Sequence, residues 1–502
     1  MPKNIVIFSD GTGQDGGIRP EQRVSNVYKM YRAARVGPET GINPTAQVTF
    51  YDPGLGTDAG ATGLTAPMRF LQKLLASVTG QGITVNVADC YAFILNHYRL
   101  GDRIYLVGFS RGAYTVRCLA NLLMLCGIPT KTPKGPLRRF RKQTRDIAEE
   151  AVSKVLEQGA GKARGLYEAD RFEQARRFRE RYGSNAADDP ENSNAAPYFI
   201  GVFDTVAALG ARGFRRYAIG AGLALLGVGA VAAIAGLLSL IPAVSFRPTF
   251  LLIGFAAVLY AGWRWLTDHL KTTWYPERTG WKRWIPNWHF AVWRAGYYDR
   301  LLSRSVRFAR SANAIDETRE DFDRVPWGGK PQERMPGEPE TFRQVWFAGN
   351  HSDIGGSYPE AESRLSDIAL DWMVQEARSL PHPLVMEEDK LHRHPQADGV
   401  QHCEIAGMHD TIEQRAWKIL RPLTGRLNWK ALSNGRDIKP DAVVHPTVAE
   451  RFALSNVASC SGTGPYRPRA LRKHRDFKDL YAIPASTVLP GPAAADGQTA
   501  SA

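Results

Sequence analysis

From Tyr217 to Phe246 the chain runs for 30 residues without a charged side chain, YAIGAGLALLGVGAVAAIAGLLSLIPAVSF. A helix of about 20 apolar residues crosses the hydrocarbon core of a bilayer, so this segment is long enough to span one. A central helix of a large soluble core is the competing account, but an all-round apolar helix of this length fits a membrane better. A second apolar stretch, PTFLLIGFAAVLYAGW at Pro248–Trp263, holds 16 residues between Arg247 and Arg264. It is short, yet Arg264 can snorkel and Trp265 and Leu266 extend it. The pair reads as a helical hairpin over 217–266.

Seven of the 12 tryptophans follow closely: Trp263, Trp265, Trp274, Trp281, Trp284, Trp288 and Trp293. Interleaved with Lys271, Arg278, Lys282 and Arg283, they read as an interfacial belt reaching to about residue 295, with ordinary aromatic core as the alternative.

The remainder of the 502 residues leaves room for two or three domains. Hydrophobic residues at 44% and charged residues at 23% exclude wholesale disorder and fibrous architectures. A net charge of +14 calls for an anionic partner. No nucleic-acid recognition motif accompanies it, which leaves an anionic bilayer surface. Half of that excess lies in 131–182, with 15 Lys/Arg against 8 Asp/Glu. This reads as a basic helical insertion over 128–196, either a solvated face or an anionic-surface contact. Five cysteines form no regular framework, and Cys118 and Cys126 fall two turns apart on one helix, too far to bridge. A reducing compartment is the simpler expectation.

Met1-Pro2-Lys3 leads straight into NIVIFSDGTG, whose apolar run is too short for an export signal. Over the first 127 residues strands and helices alternate: a strand at Ile5–Phe8, a helix near Val24–Ala34, QVTFYD ending at Asp52, a helix around Thr84–Tyr98, and DRIYLVGF. That rhythm predicts a parallel sheet covered on both faces. The tail at 486–502 is rich in Pro, Gly and Ala and is expected to be disordered.

The strongest chemical signal is GFSRG at Gly108–Gly112. The string alone is weak, but YLVGF before it is a strand and RGAYTVRCLANLLMLCG after it is a helix. A nucleophile elbow needs that strand-to-helix turn, which exposes the Ser110 hydroxyl beside the positive end of a helix. A nucleophilic serine needs a base, and the base needs an orienting carboxylate. YFIGVFDTVAALG presents an apolar strand ending at Asp204, and FRQVWFAGNHSDIGGSY another, with His351 just past its end. The order Ser110, Asp204, His351 is the one expected of an α/β-hydrolase, each residue at a strand's carboxyl end. Asp353 is a rival for the role of Asp204, Asp10 is placed to share the site, and His445 in VVHPTVAER is an alternative base. The oxyanion donors would be the backbone N–H of Arg111 and one from the SDGTG loop, at Gly11 or Thr12. His392, His394, His402 and His409 lack ligand spacing, so neither metal nor cofactor is expected.

SDGTG, YDPGLGT, GDRIYLVGFSRGAYTVR, GVFDTVAALG and VWFAGNHSDIGGSY followed by LSDIALDWM occur here in that order. Together they resemble an uncharacterised α/β-hydrolase domain family that includes type VI secretion phospholipase effectors of the first lipase-effector class. The resemblance covers roughly 3–127 and 197–378. It implies esterase action on membrane phospholipids, with Ser110, Asp204 and His351 as the triad. The expected architecture is therefore an α/β-hydrolase-like, mostly parallel sheet in two pieces, 1–127 and 197–378. The basic insertion, the transmembrane hairpin, an accessory region at 379–485 and the tail complete it. Soluble effectors need no apolar hairpin after FDTVAALG; its presence predicts a membrane-embedded enzyme, in a bacterial inner membrane. Arg212, Arg215 and Arg216 precede the hairpin and Arg264 and Lys271 follow it, whereas the turn holds only Arg247. Both flanks are thus expected on the cytoplasmic side.

Overall fold

The computed structural model describes residues 2–11, 23–54, 82–162, 165–206, 214–293, 302, 306–319, 322, 324–327, 339–404, 435–460 and 462–482. The expected disordered tail, Thr12 and His409 lie outside the described residues.

In chain order, β1 (Asn4–Ser9), α1 (Asn26–Ala34), β2 (Gln47–Asp52), α2 (Gly82–His97), β3 (Arg103–Phe109) and α3 (Ser110–Cys126) follow the expected alternation within a residue or two. Next come α4 (Lys142–Lys154), α5 (Glu168–Tyr182) and β4 (Phe199–Phe203). The apolar helices α6 (Phe214–Leu238) and α7 (Phe246–His269) precede an antiparallel hairpin, β5 (Leu270–Thr273) with β6 (Asn287–Phe290). Then come β7 (Phe308–Ala314), β8 (Phe342–Phe347), α8 (His351–Gly355), α9 (Arg364–Arg378) and α10 (Pro446–Ala453).

Six strands form one sheet in the order β8-β7-β4-β3-β1-β2, every neighbouring pair parallel. Strand order reverses between β1 and β3, and in open parallel sheets ligands bind outside the carboxyl ends at such a switch point. Alternation along β1 divides the core. Ile5 and Ile7 face one layer, with Tyr91, Leu95, Leu119, Leu123, Ile147 and Phe178. Val6 and Phe8 face the other, with Val27, Met30, Ala369 and Met373. This two-sided cover is the α/β arrangement the pattern predicted.

Two elements were not anticipated. Every residue of β7 is buried although its sequence, FARSANA, carries Arg310 and Asn313. The Arg310 guanidinium pairs with Glu376 of α9, so its burial is compensated by a partner 66 positions away. The β5–β6 hairpin gives the Trp-rich segment an ordered base. It is fastened to the basic helices: buried Asp170 accepts from Tyr275 Oη at 2.6 Å and Asn287 Nδ2 at 2.9 Å, and Lys271 pairs with Glu157 at 2.7 Å. Many cations of the 131–182 segment are matched within it, Arg176 and Arg177 to Glu173, and Lys154 and Arg181 to Glu150.

Helices α6 and α7 are long and apolar enough to cross a membrane, and almost none of their surface is buried in the protein. Leu225 is 72% exposed and Leu251 68%. The soluble-core alternative requires the opposite. The aromatic-core alternative fails for Trp274, Trp281, Trp284 and Trp288, which are all exposed, but holds for Trp293, which packs against the core beside Tyr114.

The C-terminal region builds a third core in which Ile438, Val448, Phe452, Tyr466 and Phe477 close on Ile315, Trp346 and Ala348. It also corrects the cysteine reading. Cys403 and Cys460 are disulfide-bonded, their Cα atoms 5.0 Å apart across 57 positions of sequence, while Cys90, Cys118 and Cys126 are free and buried. Adjacency created by folding is invisible to spacing arithmetic.

Candidate active site

Strand β3 delivers Ser110 at its carboxyl end, where the chain turns into α3 with Ser110 at φ 58°, a left-handed conformation uncommon for a side-chain-bearing residue. The flanking glycines permit it. A Cβ on Gly112 would lie 2.1 Å from Ser9 O of β1, and one on Gly108 2.7 Å from Gly112 O. Both distances are too short for any side chain. Asp204, following β4, also has positive φ, 33°. Backbone strain at two strand ends of one sheet is the kind of feature that clusters at functional sites.

Asp204 and His351 meet across 147 positions of sequence: His351 Nδ1 lies 2.7 Å from Asp204 Oδ2. Asp204 Oδ1 accepts from Ala314 N at 3.1 Å, and Oδ2 also accepts from Arg436 Nη2 at 2.9 Å. Burial alone would raise the Asp204 carboxyl; Arg436 and His351 outweigh it and hold the pKa at about 2. With Asp204 ionised, Nδ1 is the ring nitrogen placed to donate to the carboxylate, and Nε2 faces away from it. Nε2 is buried and has no hydrogen-bond partner among the described residues. The ring stacks on Phe109 (centroids 4.7 Å apart) and meets Phe322 edge-on (5.1 Å). Ser110 is 6% exposed and follows Phe109 directly in the chain; among the described residues no hydrogen bond joins it to His351.

The rivals are placed elsewhere. Asp353 does not orient His351. It closes a capping box with Asn350 at the start of α8, and its Oδ1 lies 2.7 Å from His402 Nδ1. The HSD motif thus contains a base and the carboxylate that fixes the turn presenting it. His445 caps α10, bonds Thr447 and stacks on Phe347; burial first, and Arg343 second, lower its pKa to about 4. His402 is pulled in the opposite direction: burial opposes its charge, but Asp353 and Glu362 raise its pKa.

Asp10 is near the site without joining it. Its carboxylate accepts from Gly11 N at 2.7 Å, Ser25 Oγ at 2.5 Å and Tyr51 Oη at 2.7 Å, and burial raises its pKa to about 6. The amide of Gly11 is therefore committed to Asp10, which corrects its assignment as oxyanion donor. The loop is still adjacent: a Cβ on Gly11 would lie 3.3 Å from Ser110 Cβ. Arg111 opens α3 beside Ser110. Its guanidinium has no hydrogen-bond or ion-pair partner among the described residues, and burial lowers its pKa to about 10.

Arg436 was not anticipated. It sits in SNGRD, between no recognisable strand or helix, as one of 64 basic residues. Nothing local distinguishes it.

Comparison with known proteins gives a family model described as "T6SS, Phospholipase effector Tle1-like, catalytic domain", matching residues 3–221 and 273–376. The match skips 222–272, which holds most of α6 and α7. An uncharacterised protein of Saccharomyces cerevisiae is 31% identical over 133 residues, 26% of this chain and 18% of that protein. A crystal structure of an uncharacterised protein from Pseudomonas aeruginosa is 16% identical, with a TM-score of 0.35, over 83% of this chain and 51% of that one. The structure of the Tle1 effector bound to the VgrG spike of the type VI secretion system is 15% identical, with a TM-score of 0.24, over 72% and 52%. The chain thus spans about half the length of those two structures and under a fifth of the yeast protein.

Proposed function

The chain belongs to the family of Tle1-like phospholipase effectors of type VI secretion systems, in its catalytic domain, and from that premise we propose that it is a membrane-bound serine esterase cleaving phospholipid ester bonds. The observation carrying the mechanism is the 2.7 Å Asp204–His351 contact with Nε2 unengaged, at the sheet edge that also bears Ser110. In this reading Ser110 Oγ attacks the ester carbonyl and passes its proton to His351 Nε2. Asp204 fixes the imidazole tautomer and balances the imidazolium, and His351 returns the proton to the leaving alcohol. Water then resolves the acyl-enzyme by the same steps. The Arg111 amide, at the N-terminus of α3, supplies one oxyanion donor.

Two features support an anionic lipid as substrate. The Arg111 guanidinium, on the residue after Ser110, has no counter-charge among the described residues, which suits a phosphate-bearing substrate. The apolar hairpin and its exposed tryptophans offer a bilayer-facing surface within the same chain. Because β3 and β4 precede the hairpin and α8 follows it, an active triad needs both flanks on one side of the membrane. We place that side in the cytoplasm, from the distribution of positive charge.

The test is hydrolysis of a panel of phospholipid classes by full-length protein in detergent or vesicles, wild type beside Ser110→Ala, with fluorophosphonate labelling of Ser110. Lipid release lost in the variant supports the proposal. Absence of labelling on folded wild type would instead indicate a non-catalytic anchor, and preference for short monomeric esters would indicate a soluble substrate. For orientation, a cysteine at position 245 should react with an impermeant thiol reagent from outside intact cells, and one within 142–154 should not.

A further inference from the structure

Arg436 lies beyond the residues matched by the family model, in an extended segment before α10. It reaches a carboxylate 232 positions earlier: Nη2 donates to Asp204 Oδ2 at 2.9 Å, the same oxygen that bonds His351 Nδ1 at 2.7 Å. Arg436 is 4% exposed and Asp204 0%, so neither charge is screened by solvent. Its Nε and Nη1 are buried without hydrogen-bond partners among the described residues. A guanidinium that leaves donors unsatisfied is a poor choice for stability alone, since apolar replacement of a buried ion pair is often neutral or stabilising. Such an arrangement is better explained by what the charge does for its neighbour.

The other groups around Asp204 cannot substitute. From β7 comes only the Ala314 amide, and from α8 His351 itself. The next charges, Glu317 and Arg319, pair with one another at 2.7 Å, Glu317 also accepting His351 N at 3.2 Å. Arg436 is therefore the cation in contact with the carboxylate.

We propose that Arg436 is a positioning residue of the Ser110 centre, keeping Asp204 ionised and its Oδ2 fixed so that His351 is held with Nε2 free to act as base. This rests on the serine-esterase reading. It also makes the C-terminal region part of the catalytic centre rather than an appendage.

The consequence is a pH signature. Burial drives the Asp204 pKa up and Arg436 is the foremost opposing influence. Without it the carboxyl takes a proton at higher pH, no longer accepts from Nδ1–H, and the correct tautomer is lost. The loss falls on the acid side of the activity profile.

The experiment measures the pH dependence of kcat/KM for ester hydrolysis and of the fluorophosphonate labelling rate. It uses full-length wild type, Arg436→Gln and Arg436→Lys, with folding checked by circular dichroism. In Arg436→Gln the Asp204 carboxyl should titrate at about 7, as the buried Asp52, which has no cation beside it, does. The acid limb moves up with it, so activity at pH 6 falls about tenfold further than at pH 9. Arg436→Lys should largely restore the wild-type limb. If Arg436→Gln does not fold, Asp204→Asn and the double variant with Arg436→Gln, which leaves no unpaired charge, are compared. The second substitution should then cost less than about twofold. A uniform loss at every pH, or an additive double variant, would overturn the role of Arg436 while leaving the esterase standing. Wild type that neither hydrolyses ester nor labels at Ser110 would bring down the esterase reading itself.

Discussion

The sheet edge and the apolar hairpin invert the usual partition of residues in opposite directions. At the edge, Asp204, His351, Arg436 and Asp10 are charged or polar and buried; along α6 and α7, leucines, valines and phenylalanines are exposed. Each inversion costs free energy in water unless something compensates. At the edge most of the compensation is internal, a set of hydrogen bonds at 2.7–3.1 Å converging on one carboxylate. Along the hairpin the fold supplies none, because the two helices touch chiefly each other. The site is thus closed by folding, whereas the described residues leave the hairpin's apolar surface uncovered. The segment after the apolar hairpin is fastened elsewhere, by Tyr275 and Asn287 to Asp170 of α5, away from Ser110, Asp204 and His351 in the sequence.

If the regions are independent in this way, substitutions should separate their effects. Ser110→Ala should lower lipid hydrolysis by about a thousandfold or more while vesicle flotation is unchanged; residual turnover near wild type would remove the sheet edge from the chemistry. Leu225→Arg, at the middle of α6, should cost about 3 kcal/mol of membrane insertion, near a hundredfold. It should leave detergent-solubilised esterase activity and thermal stability intact. A collapse of stability would mean that α6 is a core helix after all. Trp281→Ala with Trp284→Ala, at side chains 69% and 70% exposed, should weaken binding to anionic vesicles by about tenfold without changing turnover of a short-chain ester. The smallest expected effect concerns Asp52, whose pKa burial raises to about 7 against an unfolded value near 3.8. A raised carboxyl stabilises the fold below the unfolded pKa and loses that contribution as pH rises through the folded one. Wild-type stability should therefore decline between about pH 4 and 7, and Asp52→Asn should flatten that slope, a change of a few degrees in Tm. A slope unaltered in Asp52→Asn would show that other groups set it.

Much of this was legible because it was local. A bilayer span, a β-strand running into GFSRG, and aspartate or histidine just past an apolar strand are all properties of adjacent residues. The same locality explains the alternatives that it left open. Asp353 looked like a partner of His351 because it is two residues away, yet the helical turn sends it into a capping box and toward His402. Gly11 looked like an oxyanion donor because its loop touches Ser110, but Asp10 takes its amide.

By itself, then, the sequence determined the parallel alternation of the sheet, the two long apolar helices, and the strand ends at which Ser110, Asp204 and His351 stand. Tertiary structure alone decided that Cys403 meets Cys460, that polar β7 is buried against Glu376, and that Arg436 reaches Asp204. The reason is physical: hydrophobic periodicity and turn chemistry act over a few residues and leave a pattern in order along the chain. A buried charge is tolerated only through a partner that folding alone brings close, and such partners may come from anywhere in the chain.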